Sequence, residues 1–276
     1  MARQMGLSGI LYFIMYQSSF LKKWHLAFKI IPLVGLVFLL KLFFHEQGWE
    51  FISLSTLFTS LIAATTFLIG FLITGVISDY KESEKIPGEL VASIEALYGE
   101  AWIFSCNKPS ERTRQFLDSC QDLPRLIFEW FHKRERTKTI LGKLSELDSY
   151  FAEFEPVIQA NFLARMKNEQ SAIRRMIIRI DNIRDLSFIP SAYAIAEILA
   201  FFVIMGLLVL RVEPFHEALF FTLLVSFLMI YMIFLIKDLD DPFHYARRDG
   251  GGIEVSIKPV SDLVERMRVR SKTNLP

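Results

Sequence analysis

Cysteine is scarce in this sequence, with only Cys106 and Cys120 present, both in a charged stretch. Two cysteines cannot form the disulfide framework of a small secreted protein, so we expect two reduced thiols facing the cytosol. The five histidines are scattered and show no metal-ligand spacing such as His-Glu-x-x-His. A Gly-x-Ser-x-Gly nucleophile elbow and a dinucleotide-binding glycine fingerprint are also missing.

Surplus charge of either sign is missing too, because 31 Lys and Arg residues face 30 Asp and Glu residues for a net charge of +1. Such a chain has no strong attraction for nucleic acid, and we expect no nucleic-acid partner. The run Gly250–Gly252 lacks the Lys-Ser/Thr that follows a phosphate-binding loop, and we interpret it as a flexible wrap. These absences indicate that the protein is not an enzyme, and no cofactor or metal ion is predicted.

Apolar residues are abundant, at 52% of the chain, and they cluster in long runs. Four runs are long enough to cross a hydrocarbon layer, which takes about 20 helical residues. They are Leu26–Phe44, Ser53–Ile77, Ile189–Leu210 and Ala218–Ile236. Lys29 and Lys41 lie near the ends of the first run, where we expect their long side chains to snorkel to the interface. Since polarity does not alternate along these runs, the pattern disfavours membrane-spanning strands and predicts an all-α, multi-pass membrane protein.

The distribution of Lys and Arg predicts the topology. The loop His45–Glu50 has neither residue type, and the loop Arg211–Glu217 has one arginine, whereas both chain ends and the long segment between the second and third runs are rich in them. We therefore expect both termini and this long segment to be cytosolic. A plasma membrane or a bacterial inner membrane fits this arrangement.

The chain is expected to have five segments. Residues 1–25 form an interfacial amphipathic helix, 26–78 the first two spans, 79–188 a cytosolic helical segment, 189–236 the last two spans, and 237–276 a cytosolic C-terminal wrap and basic tail. In the cytosolic segment, apolar residues recur at helical spacing in three stripes, and because each stripe needs a partner, the segment is predicted to be a packed bundle. The stripes are Phe116, Cys120, Leu123, Ile127 and Trp130; Ile140, Leu144, Leu147, Phe151, Phe154 and Ile158; and Ile173, Met176, Ile177, Ile180 and Ile183.

One face of the second span combines hydroxyls with two phenyl rings, which is unusual for a surface in contact with lipid. Its residues are Thr56, Thr59, Ser60, Ala63, Phe67, Phe71, Thr74 and Ser78, spaced three and four apart. In a structural interpretation, the hydroxyls bond to carbonyls one turn earlier and the rings pack against neighbouring helices. In a functional interpretation, the hydroxyls line a pore and Phe67 and Phe71 form a hydrophobic constriction that gates by dewetting. The spacing leaves both interpretations open.

Glu197 is the one acidic residue inside the third run. An ionisable group there is costly, which makes it a candidate functional residue. A polar bond between helices, or a protonated carboxyl near the interface, is the structural alternative.

Two stretches of the sequence carry a family resemblance. The first contains Gly70-Phe71, then Glu82, Lys85 and Gly88 without a gap, and the second is Asp240-Asp241-Pro242-Phe243, directly after the fourth run. They resemble the bestrophin chloride channels and their bacterial-type relatives. In that family a Gly-Phe pair is followed at fixed distances by Glu, Lys and Gly-x-Leu, and an Asx-Pro-Phe turn follows the fourth span.

The resemblance implies a homopentamer in which the second helix lines a central pore. The family's neck has three bulky apolar residues four apart, and these positions fall on Ala63, Phe67 and Phe71, so the ring at Ala63 should be wider. Asp79-Tyr80-Lys81 replaces the family's Arg-Trp-Trp. Animal members bind calcium through acidic residues after the Pro-Phe turn, but here Arg247 and Arg248 oppose a cation, and no such site is predicted.

Together these features predict an oligomeric ion channel that conducts anions such as chloride and whose partners are its own copies, the lipid bilayer and small inorganic ions. Two alternatives remain open. One is a membrane-anchored scaffold or sensor whose cytosolic bundle binds a protein. The other is a proton-coupled transporter that uses Glu197.

Overall fold

The computed structural model describes residues 2–185, 190–240, 242, 243, 245 and 254–273, with side chains for 24–184, 191–240, 242, 243, 245 and 254–270. Over these residues the chain is nearly all helical, which confirms the predicted all-α class. The helices are α1 (Ala2–Glu46), α2 (Thr56–Ser83), α3 (Ile86–Asn107), α4 (Glu111–Phe131), α5 (Thr137–Phe154), α6 (Ala160–Asp185), α7 (Pro190–Leu208), α8 (Phe215–Leu239) and α9 (Lys258–Thr273). Two short strands, β1 (Ile52–Ser53) and β2 (Leu210–Arg211), pair in parallel.

Four stretches of the described residues are long and apolar enough to cross a membrane, as the sequence predicts. They are Trp24–Glu46, Thr56–Asn107, Ser191–Leu208 and Phe215–Leu239. The second predicted run starts too early, because Ile52 and Ser53 belong to β1 and the helix begins only at Thr56. Only 22–28% of the apolar windows in these stretches is buried within the chain, so lipid or other copies must cover the rest.

α1 is one continuous helix from Ala2 to Glu46, and the segment 1–25 is therefore not an element separate from the first span. The two segments meet at residues 21–24, which are Leu, Lys, Lys and Trp. All of these residue types are compatible with a helix, so the sequence contains no signal that would end α1 there. Even Pro32 lies inside the helix. That residues 1–25 lie along the membrane surface stays a prediction.

The described residues form two compact units, one made of 2–78 and 190–240 and the other of 79–185, 242, 243, 245 and 254–273. In the first unit α1 packs mainly on α8, which also packs on α7. The buried face of α8 carries small side chains at every fourth position, Ala218, Thr222 and Ser226. Small residues let two helix backbones approach closely in a membrane, where packing replaces the hydrophobic effect.

The second unit has a single apolar core, which confirms the predicted helical bundle. All five residues of the α4 stripe are buried, as are most residues of the stripes on α5 and α6. α4 begins with a capping box, in which the Ser110 hydroxyl accepts from the Thr113 amide at 3.1 Å and the Thr113 hydroxyl accepts from the Ser110 amide at 2.9 Å. These two bonds satisfy amide groups that the first helical turn would otherwise leave without partners.

Two helices of this core, α3 and α9, were not predicted. α3 contributes Leu90, Ile94, Leu97 and Ala101 to the core, and α9 contributes Val260, Leu263 and Met267. The segment 237–276, expected to be a wrap and tail, thus contains a packed helix, while Gly250–Gly252 lie outside the described residues.

The two cysteines occupy different environments, although the sequence suggested the same one for both. Cys106 is exposed, whereas Cys120 belongs to the core, where burial raises the pKa of its thiol. Cys120 sits on the apolar stripe of α4, and its burial follows from that position.

Candidate functional site

The two sides of α2 differ sharply in burial. Ile69, Leu72 and Val76 are buried, together with Thr65, whose hydroxyl donates to the Leu61 carbonyl at 2.8 Å. The opposite side is exposed and holds every residue of the predicted stripe: Thr56, Thr59, Ser60, Ala63, Phe67, Phe71, Thr74 and Ser78. Since an α-helix has 3.6 residues per turn, these residues form one continuous face.

The two phenyl rings of this face project from the chain. Phe67 is 78% exposed and Phe71 is 70% exposed, so neither ring packs between helices of the same chain. Gly70 lies beside them, and a Cβ atom added there would meet no atom within 4 Å. The chain's own packing therefore does not explain the rings or the glycine.

Two hydroxyls of the face bond back to their own helix, as the structural interpretation expected. The Thr74 hydroxyl donates to the Gly70 carbonyl at 2.9 Å, and the Thr59 hydroxyl lies 3.0 Å from the Thr56 carbonyl. Both side chains are nevertheless exposed. Because their hydrogens point back to the helix, these hydroxyls offer mainly oxygen lone pairs to whatever faces them.

The side of α2 opposite the stripe is fixed by a contact that the sequence did not suggest. The Phe58 ring lies against Gly206 of α7, in the space that a Cβ atom at residue 206 would fill. Since only glycine leaves this space free, Gly206 lets the N-terminal end of α2 pack closely on α7.

Lys41 is fully buried near the end of α1, which corrects the expectation that it snorkels to the interface. Its ammonium lies 2.6 Å from a carboxylate oxygen of Glu50, and it donates to the carbonyls of Leu210 at 2.7 Å and Leu208 at 3.2 Å. The ammonium thus finds a counter-charge and two acceptors inside the protein, which removes the reason to reach water.

Glu50 joins this cluster to the His45 ring. Its other carboxylate oxygen lies 2.9 Å from Nδ1 of His45, whose ring stacks on Phe215 with centroids 3.7 Å apart. Burial raises the pKa of Glu50, but the hydrogen bonds and charges of Lys41 and His45 outweigh it and hold the pKa below its ordinary value. The cluster ties the loop before α2 to the ends of α1 and α7.

Glu197 forms an ion pair with Lys237 near the end of α8. The carboxylate side chain is 44% exposed and the ammonium side chain 54%. This pair fits the structural alternative for Glu197, a polar bond between two spans.

The motif residues are distributed over several places. Glu82 pairs with Arg179 at 2.7 Å, the Lys85 amide donates to the Glu82 carbonyl at 3.2 Å, and Gly88 is exposed in the first turn of α3. In the second motif, Asp240 follows the end of α8 and Asp241 lies outside the described residues.

Pro242 and Phe243 of the second motif are buried in the second unit. The Pro242 carbonyl accepts from the Val255 amide at 2.9 Å, and the Phe243 ring packs on Phe131 with centroids 6.1 Å apart. The neighbouring Tyr245 hydroxyl donates to the Val255 carbonyl at 2.5 Å. The Pro-Phe pair therefore anchors the chain after α8 to the core of the second unit.

Comparison with known proteins identifies the fold. No protein-family model and no curated protein matches the sequence. A bacterial Bestrophin homologue from Klebsiella pneumoniae, solved as single-site variants, matches with a TM-score of 0.70 at 14% identity, over 90% of this chain and 100% of that chain. A second variant gives 0.70 at 14% identity, over 90% of this chain and 99% of that chain.

A further solved structure, described as a membrane protein, matches with a TM-score of 0.71 at 14% identity, over 90% of this chain and 100% of that chain. These matches confirm the predicted bestrophin-like fold, and with the four apolar stretches they identify an integral membrane protein.

Proposed function

We propose that this chain is one subunit of an oligomeric ion channel, with five copies around a common axis and α2 of each copy lining the pore. Both termini are cytosolic, the bilayer is a plasma or bacterial inner membrane, and the permeant ions are small anions such as chloride. The fold shared with a bacterial Bestrophin homologue supports this proposal. The observation that carries it is the exposed face of α2, with Phe67 at 78% and Phe71 at 70% exposure.

The polar composition of this face favours a pore over a lipid contact. Lipid tails offer no hydrogen-bond partners, so a lipid-facing surface should be apolar. The exposed surfaces of α7 and α8 have that character, with phenylalanines at 201, 202, 220 and 221 all more than half exposed. The α2 face instead repeats hydroxyls along its length, which suits water and ions.

Phe67 and Phe71 act as the gate of this pore. Rings from all copies narrow the path to an apolar constriction, from which water withdraws unless the path widens. Phenyl ring edges carry partial positive charge, so rings that present their edges tolerate a passing anion. Ala63, one turn before Phe67, leaves the path wider there, while Thr56, Thr59, Ser60, Thr74 and Ser78 keep it wet on either side.

The gate assignment is tested by removing both rings. Phe67→Ala together with Phe71→Ala should raise the conductance measured in planar bilayers with the purified full-length protein, because the apolar constriction is lost. Phe201→Ala together with Phe202→Ala is the matched control, since these α7 rings are 59% and 58% exposed but lie off the α2 face. Unchanged currents in the Phe67/Phe71 variant would contradict the gate.

The geometry gives less support to a proton-coupled transporter. That mechanism needs Glu197 to exchange a proton during transport, yet Lys237 already compensates its charge. The ion pair between α7 and α8 explains the carboxylate as part of the packing of the two spans.

A further inference from the structure

Lys81 continues the exposed face of α2 beyond its last hydroxyl. α2 is a single helix to Ser83, and Lys81 follows Ser78 by three residues and Thr74 by seven. These spacings return to the same side of an α-helix. The Lys81 side chain is exposed, as are Thr74 and Ser78.

The acidic residues near Lys81 do not cancel its charge. Glu82 is engaged by Arg179 of α6 at 2.7 Å. Asp79 lies two residues before Lys81, about 160° away around the helix. Glu84, three residues after Lys81, lies in the turn after α2 and forms no ion pair with it among the described residues, and Lys85 follows with the opposite charge. Among the described residues, the Lys81 ammonium has no ion-pair partner.

Two of the five hydroxyls on this face are not free to donate to an anion. The hydroxyls of Thr59 and Thr74 donate to carbonyls of their own helix, which leaves oxygen lone pairs facing outward. Lone pairs attract cations and water rather than chloride. A positive group favours an anion over a cation directly, and Lys81 is the first one on this face of the helix.

We propose that Lys81 is the residue that makes the channel prefer anions. This inference rests on the proposed assembly of copies around α2, in which the Lys81 ammonium groups form a positive ring at the cytosolic end of the helix. Such a ring raises the local concentration of chloride and lowers that of potassium. The gate formed by Phe67 and Phe71 sets how much current flows, and Lys81 sets which ion carries it.

Reversal potentials in a potassium chloride gradient test this role, with the purified full-length protein in planar bilayers. Lys81→Glu should shift the reversal potential from the chloride side toward the potassium side. The shift should shrink in about 1 M salt, where the screening length falls to about 3 Å. Lys108→Glu is the matched control, because this exposed lysine follows α3 and changes charge by the same amount; its reversal potential should equal that of the unaltered protein.

A second variant tests the same role if Lys81→Glu fails to fold. Lys81→Cys in a Cys106→Ser background leaves only the fully buried Cys120 thiol besides the new one. A positively charged methanethiosulfonate should restore the chloride preference, and a negatively charged one should reverse it, on the same protein. If currents flow but both reagents leave the reversal potential unchanged, Lys81 does not set the ion selectivity. The proposal that the protein is a channel would remain supported in that case. If no preparation conducts, the channel proposal itself is wrong.

Discussion

At the scale of single residues, Lys41 shows how the protein carries a charge inside a membrane-crossing helix. A buried ammonium loses several kcal/mol of hydration energy, which a carboxylate and carbonyl oxygens restore only with good geometry. Lys41 has all three partners within 3.2 Å, from Glu50, Leu208 and Leu210. The cluster holds the loop before α2, so it helps to define where that helix starts.

Breaking the ion pair between Lys41 and Glu50 should reduce the stability of the protein most when the carboxylate is removed. We expect Glu50→Gln to destabilise the protein by about 3–5 kcal/mol, because the Lys41 charge stays buried without compensation. Lys41→Met should cost less, since Glu50 keeps its contact with His45. The double variant should recover part of the loss. Thermal unfolding in detergent measures these effects, with Lys29→Met as the control, because Lys29 is exposed on the same helix.

The ion pair between Lys41 and Glu50 also predicts that the stability of the protein falls as the pH is lowered. The pKa of Glu50 is lowered in the folded protein, so its stabilising contribution is complete at neutral pH and is lost as the pH falls through this lowered pKa. The difference in unfolding temperature between the unaltered protein and Glu50→Gln should therefore narrow in strong acid, below the ordinary carboxyl pKa of 4.5. A difference that persists there would contradict the ion pair as its cause.

What the sequence could predict about single residues depended on whether their partners were close in the chain. The stripe on α2 followed from spacing alone, because helix geometry places those residues on one face. The partners of Lys41 include carbonyls 167 and 169 residues away, which no local pattern indicates. Gly206 was missed for the same reason, since its partner Phe58 lies on another helix.

At the scale of elements, amphipathic helices were predictable when charged residues clearly separated the polar face from the apolar one. Helices without this separation were missed. The stripes on α4, α5 and α6 stand out against charged neighbours and are confirmed by burial. α9 has the same kind of stripe, Val260, Leu263 and Met267, but the arginines around it made it look like a basic tail. Apolar residues occur on much of the surface of α3, so its sequence does not show the helical spacing of apolar and polar residues that marks an amphipathic helix.

The packing of α9 gives a direct test of whether the C-terminal segment belongs to the core. Leu263 is fully buried, so Leu263→Ala should destabilise the protein by about 2–5 kcal/mol through lost contacts and a cavity. Val269→Ala on the same helix is the control, because that side chain is 54% exposed and should cost less than about 1 kcal/mol. Chemical unfolding followed by tryptophan fluorescence compares the two, and equal effects would contradict the buried position of α9.

At the scale of the whole molecule, a single copy leaves its most apolar helical surfaces largely exposed. The most apolar part of each membrane-crossing stretch is only 22–28% buried within the chain. Lipid suits the phenylalanine-rich surfaces of α7 and α8, whereas the α2 face combines hydroxyls with projecting rings. The proposed assembly around α2 would separate these two surfaces, with lipid outside and water inside.

The number of copies in this assembly can be read from a cross-linking yield. In a Cys106→Ser background, Thr74→Cys places one accessible thiol per copy on the α2 face, and a short bis-maleimide should join copies in pairs. One thiol per chain can only give dimers, so a ring with an odd number of copies always leaves one chain unjoined. For five copies the dimer yield should stop at about four-fifths of the chains when the reagent is supplied at one molecule per two thiols, whereas four or six copies allow complete conversion. Leu224→Cys, half exposed on α8, should stay monomeric on the same gel, because that surface faces lipid in the proposed assembly. Equal yields from the two positions would mean that the α2 faces do not gather around a common axis.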